Sequence, residues 1–111
     1  MTNKPKIKRE KSGLLVEITD FDDKNNWVSG TVGELEFEAK VYNVGSVFGI
    51  NDGRVSKLHI YTLSGKEFPF QTGKDIVCYD RGWDKKPSKE FKPHFDALMK
   101  ALEATPKRKF E

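Results

Sequence analysis

Three side chains carry the chemistry of a base, a nucleophile or a soft metal ligand: His59, His94 and the single cysteine, Cys78. General-base catalysis needs an imidazole within reach of the proton it takes, and a thiol nucleophile needs a cation or base beside it. His59 stands in the strand-like run VSKLHIYTL, near Tyr61 and the expected partner Phe70, and reads as a half-buried sheet histidine rather than a base. His94, between Pro93 and Phe95, falls off the apolar stripe of a C-terminal helix and reads as solvated. Cys78 lies between Val77 and Tyr79 with no obvious cation beside it, the setting of a buried inert thiol. One cysteine makes no internal disulfide, and without further cysteines or a histidine cluster it anchors no zinc. No catalytic residue, cofactor or metal is therefore expected, and the chain reads as a non-enzyme.

Two other patterns fail as ligand motifs. Asp20, Asp22 and Asp23 suggest a calcium loop, but Lys24 takes the next alternate position and neither the central glycine nor the closing glutamate is in place. Gly45, Gly49 and Gly53 precede no helix and no Gly-Lys-Ser/Thr follows them, so they form no phosphate cradle. The densest segment is Tyr79-Asp80-Arg81-Gly82-Trp83-Asp84. Arg81 can pair with Asp80 or Asp84 while Trp83 packs over the helix, which makes a strand-to-helix corner with local geometry at Gly82. The other reading is an exposed aromatic and arginine hot spot. Lys40, Arg54 and Lys57 lie on strands, where cross-strand pairing with Glu34, Glu36 and Glu38 is their simplest role.

These residues need elements to hold them. Leu35, Phe37, Ala39 and Val41 alternate with Glu34, Glu36, Glu38 and Lys40, the period of a half-buried strand with an acidic outer face. A two-residue turn at Gly33-Glu34 then pairs Val32 with Leu35, Gly30 with Phe37 and Val28 with Ala39, and sets Trp27 across from Lys40. Leu14–Thr19 is a further strand and Asp20–Asn26 a polar loop. Asn43–Arg54 is too apolar at Val47, Phe48 and Ile50 for a solvated linker and reads as an ordered loop or bulged strand packed on the sheet. Strands follow at Val55–Leu63, Lys66–Phe70 and Asp75–Asp80, the last with Ile76 and Cys78 on one face and Val77 and Tyr79 on the other. Phe91, Phe95, Leu98, Met99 and Leu102 form the stripe of an amphipathic helix, starting at Ser88 as cap or near Lys92 with Pro93 in its first turn. The fold class predicted is α+β, a single domain over residues 13–103 with an antiparallel sheet of about four to six strands against one C-terminal helix.

The 111 residues allow one small core, with 36% hydrophobic and 33% charged residues. The N-terminus MTNKPKIKREK lacks a secretory apolar stretch and no apolar run approaches the ~18 residues of a membrane span, so a cytoplasmic location is expected. The net charge of +3 is unevenly distributed. Lys4, Lys6, Lys8, Arg9 and Lys11 in an arm over 1–12, and Lys107, Arg108 and Lys109 in a tail over 104–111, carry the positive charge, leaving the body acidic. Both ends read as flexible arms.

GSVFGINDGRVSKLHI, Gly45–Ile60, and YDRGWDKKP, Tyr79–Pro87, resemble a family of short uncharacterised proteins of Gram-positive bacteria, their phages and mobile elements. The similarity runs from about Trp27 to Leu102 and leaves out both arms and the strand Leu14–Thr19. It implies a small intracellular domain, often phage-encoded, with no catalytic residues to carry over.

Two functions fit. The first is a nucleic-acid-binding accessory module, with phosphate contacts from the basic arms and base stacking on Trp27 or Tyr42. The alternative is a protein-binding effector that inhibits a host or defence nucleic-acid enzyme, presenting Glu34, Glu36 and Glu38 to a basic groove, with Trp27, Arg81 and Trp83 as anchors. An unpaired edge strand would also permit a dimer.

Overall fold

Val32, Gly30 and Val28 face Leu35, Phe37 and Ala39 across the turn at Gly33-Glu34, and Trp27 faces Lys40, in the register that the alternation predicts. Gly33 takes φ +59°, the left-handed value that such a turn demands of its first residue. Around this hairpin the computed structural model describes residues 6–9, 14–22, 24–62 and 74–106. Its elements are β1 (Lys6–Arg9), β2 (Leu15–Asp22), β3 (Trp27–Val32), β4 (Leu35–Val41), a 3-10 turn (Ile50–Asp52), β5 (Val55–Thr62), β6 (Lys74–Asp80), β7 (Trp83–Lys85) and α1 (Lys92–Glu103).

The strands make one antiparallel sheet whose spatial order is the chain order, β1 to β7. One face is covered by α1, and the α+β class with a single C-terminal helix is as the sequence predicts. The sheet counts seven strands among the described residues because a short strand is added at each edge. Lys6–Arg9, read as part of a flexible arm, pairs along Leu15–Ile18, and Trp83–Lys85 folds back on β6. Lys4, Lys11, Lys107, Arg108 and Lys109 lie outside the described residues, as does the expected strand Lys66–Phe70.

The core lies between the sheet and α1. Phe37, Leu58 and Ile60 are buried at the centre of the sheet, and Phe95, Leu98 and Leu102 descend onto it from the helix. Burying each such side chain is worth roughly 1.5–3 kcal/mol, so this one layer supplies most of the driving force for folding. Helix α1 begins at Lys92 with Pro93 in the first turn, where a missing N–H costs nothing. It does not use Ser88 as a cap. No helix among the described residues is long and apolar enough to cross a membrane.

Three local expectations are corrected. Strand β2 does not stop at Thr19: an irregularity between Ile18 and Asp20 lets Asp20, Phe21 and Asp22 pair with Ser29, Val28 and Trp27. The turn is confined to the residues after Asp22, whose carboxylate accepts the backbone N–H of Lys24 and of Asn25 and the Asn25 side-chain amide. Those bonds, the Asn25 side chain first, hold the Asp22 carboxyl below its usual value. In the Asp80–Gly82 turn the left-handed residue is Arg81, at φ +59°, while Gly82 has open space where a Cβ would stand. Within the strands, close packing requires Gly30, because a Cβ there would collide with the Glu17 carbonyl oxygen.

Candidate functional site

The uncovered face of the sheet is organised by register into rows that cross the strands. One row runs Trp27, Lys40, Lys57, Asp80; the next runs Ser29, Glu38, His59, Cys78; a third runs Thr31, Glu36, Tyr61, Asp75. Side chains in a row stand about 4.5–5.5 Å apart at Cβ, so each row is a line of contacts. The first row is cationic and aromatic, and the third is acidic.

At the cationic end, Lys40 Nζ lies 5.7 Å from the Trp27 ring centre and 5.8 Å from that of Tyr42. Both rings are open to solvent, Trp27 at 37% and Tyr42 at 39%. The loop after Tyr42 then rises beside them. Only its Ile50 enters the core, while Val47 and Phe48 are 80% and 56% exposed, contrary to the expectation that this apolar loop packs down on the sheet. The loop is nonetheless ordered by its own hydrogen bonds: Ser46 N–H to Gly53 O at 3.1 Å, Asp52 N–H to Gly49 O at 3.0 Å and Phe48 N–H to Ser46 Oγ at 3.1 Å. The Tyr79 hydroxyl pins it from below by donating to the Phe48 carbonyl at 2.9 Å. Between loop and sheet lies an open groove of about 430 Å³, lined by Tyr42 and Phe48 and by the cations Lys40, Lys57 and Arg81. Asp80 sits at its margin, 3.7 Å from Lys57 Nζ and 3.3 Å from Arg81 Nε.

Strand cations therefore do not pair with Glu34, Glu36 and Glu38 as expected. Lys57 meets Asp80, and Arg54 turns to the helix end. Its Nη1 donates to the carbonyls of Glu103 at 2.9 Å and Thr105 at 2.7 Å, its Nε to the Tyr42 carbonyl at 2.7 Å, and its backbone N–H to Glu103 Oε2 at 2.8 Å. A guanidinium there satisfies carbonyls that a helix leaves without partners and meets the negative end of its dipole.

The acidic candidates divide. Glu36 and Glu38 stand on the open face, where burial, followed by their charges, pushes the Tyr61 phenol up. Glu34 instead turns toward α1, with Oε1 3.2 Å from His94 Nε2. His94 is correspondingly not solvated, its side chain being only 13% exposed. Trp83 also belongs to the helix side: its ring lies 4.9 Å from Tyr79 and 5.7 Å from Phe95, centre to centre, which makes the segment the strand-to-helix corner. Trp27 and Arg81 stay on the side of the open groove, so the expected anchor set is split between two faces.

Beside the groove, the structure unites three donors that spacing alone keeps apart. Residues three apart in a regular strand point to opposite faces, yet Asp75 and Cys78 share the open face with His59. The cause is a bulge in β6: Ile60 pairs with Val77 but Tyr61 pairs with Asp75, leaving Ile76 as the extra residue. The bulge also buries Ile76 and Val77 together, correcting the expected alternation of Ile76 with Val77. His59 Nε2 is 2.7 Å from Asp75 Oδ1, and the donor atoms of His59, Asp75 and Cys78 all lie within 4.8 Å of one another. The Tyr61 ring packs 4.6 Å from the imidazole, centre to centre. Burial first, then the Asp75 and Asp84 carboxylates, push the Cys78 thiol up, the opposite of what a nucleophile needs. A nitrogen, an oxygen and a sulfur in reach of one point form a ligand set in which Cys78 is the softest member.

The architecture is that of a small α+β domain, an antiparallel meander with one helix against one face and, among the described residues, the other face open. Residues 26–103, from the foot of β3 to the end of α1, match the family described as Domain of unknown function (DUF7678), and the chain belongs to that family. No curated protein and no solved structure matches the chain.

Proposed function

We propose that the protein is a non-enzymatic accessory module that binds single-stranded nucleic acid along the cationic end of its open face. The observation that carries this reading is the trio Trp27, Lys40 and Tyr42, two exposed rings flanking one ammonium, continuous with a groove edged by Lys57, Arg81 and Phe48. Single-strand binders combine cations that track the backbone with rings on which bases stack, each stack being worth about 1–3 kcal/mol. Exposed large apolar side chains on an ordered loop also suit a contact surface in a small domain. Lys4, Lys6, Lys8, Arg9 and Lys11, with Lys107, Arg108 and Lys109, would add phosphate contacts from the two ends. Glu36 and Glu38, in the two neighbouring rows, limit the strand to one end of the face by repulsion. A cytoplasmic protein of a phage or mobile element, as the motif resemblance implies, meets such strands during replication and repair.

The test is binding of labelled single- and double-stranded oligonucleotides at low and high salt, by fluorescence anisotropy. The expected result is preference for the single strand, a log–log salt slope of about −0.7 per phosphate contact, and weaker binding for Trp27→Ala and Tyr42→Ala. Neutralising Lys107, Arg108 and Lys109 to Gln should lower the slope without removing the preference. Absence of affinity at low salt would overturn the reading. It would move the weight to the effector alternative, in which Glu36 and Glu38 occupy a basic groove of a host or defence enzyme.

A further inference from the structure

We propose that His59, Asp75 and Cys78 form a binding site for a divalent transition ion, zinc by the chemistry of its donors, on the open face of the sheet. The inference is independent of the nucleic-acid reading, since it rests on the second and third rows of the sheet and on a backbone irregularity that the groove does not use.

The donor set selects the ion. One imidazole nitrogen, one carboxylate oxygen and one thiolate sulfur suit a borderline-soft cation, whereas magnesium and calcium require oxygen. Three protein ligands with the fourth position left to water is the pattern of an accessible zinc site.

Geometry brings the three together at small cost. Tetrahedral zinc, with bonds of about 2.0–2.3 Å, sets its ligand atoms about 3.3–3.7 Å apart. The observed separations run from 2.7 Å for His59 to Asp75 up to 4.8 Å, so side-chain rotations of the exposed pair suffice. His59 and Asp75 can exchange their mutual hydrogen bond for metal ligation by rotating in place, since their side chains are 42% and 59% exposed, while Cys78, half-buried, supplies the fixed corner.

The bulge at Ile76 is the second observation. A regular β6 would keep the alternation of a strand and send Asp75 to the face opposite Cys78; the extra residue turns it back. Bulges of this kind re-aim side chains and concentrate beside functional sites. The neighbourhood is also suited to a cation. Glu38 faces His59 in register, and Asp84 lies close enough to act on the Cys78 thiol, so two further carboxylates surround the three donors. Lys57 and Lys85 border the same region.

The experiment uses the full chain and the metal alone. Zinc titrated calorimetrically should bind one per chain, and cobalt should give a thiolate-to-metal absorption band that Cys78→Ser abolishes. His59→Gln and Asp75→Asn should each weaken zinc binding about tenfold or more. Saturating zinc, at about a hundred times its dissociation constant, should raise the melting temperature by about 10 °C. Because Cys78 is the single thiol of the chain, its alkylation rate reads the site directly in the wild-type protein. Zinc should slow that rate, and magnesium should not. If Cys78→Ser fails to fold, the alkylation assay and the His59→Gln variant still decide the matter. A missing cobalt–thiolate band, zinc affinity unchanged in His59→Gln, or protection by magnesium equal to that by zinc would overturn the proposal.

Discussion

His94 reaches across 60 residues of sequence to place its Nε2 3.2 Å from Glu34 Oε1, fastening the first turn of α1 to the β3–β4 turn. The same imidazole would stand 3.2 Å from a Cβ at Gly33, so the turn and the helix are fitted to each other and not merely adjacent. One of the three glutamates of the Glu34, Glu36 and Glu38 alternation is thereby used internally, and the face offered to a partner is reduced to Glu36 and Glu38.

This pairing sets an acid-side dependence of stability. The Glu34 carboxyl lies below its ordinary 4.5 because its own backbone N–H, and then His94, donate to the carboxylate. A depressed folded value means that the contribution is complete above the unfolded value and is lost as pH falls through the folded one. Glu34→Gln should therefore flatten the loss of stability on acidification and cost no more than about 1 kcal/mol at neutral pH, since the carboxylate is largely exposed. Urea midpoints measured at about pH 7 and pH 3 check this, and an unchanged acid sensitivity in the variant would refute it.

Arg54 is a structural clamp. Replacing it with Ala should destabilise the fold by about 2–4 kcal/mol, since the carbonyls of Glu103, Thr105 and Tyr42 lose charge-assisted partners, while the backbone N–H that serves the Glu103 carboxylate is retained. Lys should recover only part of that, because an ammonium cannot reproduce the planar fork that serves Glu103, Thr105 and Tyr42 at once. Chemical denaturation of the three proteins gives the order; a Lys variant as stable as wild type would show that charge alone suffices.

Gly30 and Phe37 face each other in register, one at a close backbone approach and one at the core. Gly30→Ala should destabilise by roughly 1–3 kcal/mol through displacement of the Glu17 backbone, and Phe37→Ala by about 3–5 kcal/mol through the cavity it leaves. The denaturant midpoint measures both, and a neutral Gly30→Ala would mean that β2 shifts freely.

Phe48→Ser separates function from folding. The side chain is exposed and its carbonyl, not its ring, holds Tyr79, so stability should stay within about 0.5 kcal/mol of wild type. Affinity for a single-stranded oligonucleotide should fall by about tenfold, as for a lost stacking contact. A large drop in melting temperature would contradict the exposed placement of the ring.

How much was legible depended on whether the information was local. The β3–β4 register followed residue by residue from one buried face and a two-residue turn, because a one-residue slip would turn Leu35 and Phe37 to water. The helix followed from its stripe, and the pairing of Trp27 with Lys40 came with the hairpin. The donor cluster did not, since it needs the β5–β6 register and a bulge that reverses the alternation of β6. Arg54 escapes for the same reason: its neighbours point to cross-strand partners, whereas two of the carbonyls it serves come from the far end of the chain. For Val47 and Phe48, composition gave the apolar character but not the direction, which is set by hydrogen bonds within the loop.

The sequential order of the strands bears on how the molecule forms. Each strand meets the one laid down just before it, so every pairing closes a short stretch of chain and no segment must cross over another. Contacts of this kind have low sequence separation, the property associated with rapid folding in small domains. Assembly can advance hairpin by hairpin from either edge. The long-range steps are then the docking of α1, sealed at one end by His94 on Glu34 and at the other by Arg54 on Glu103.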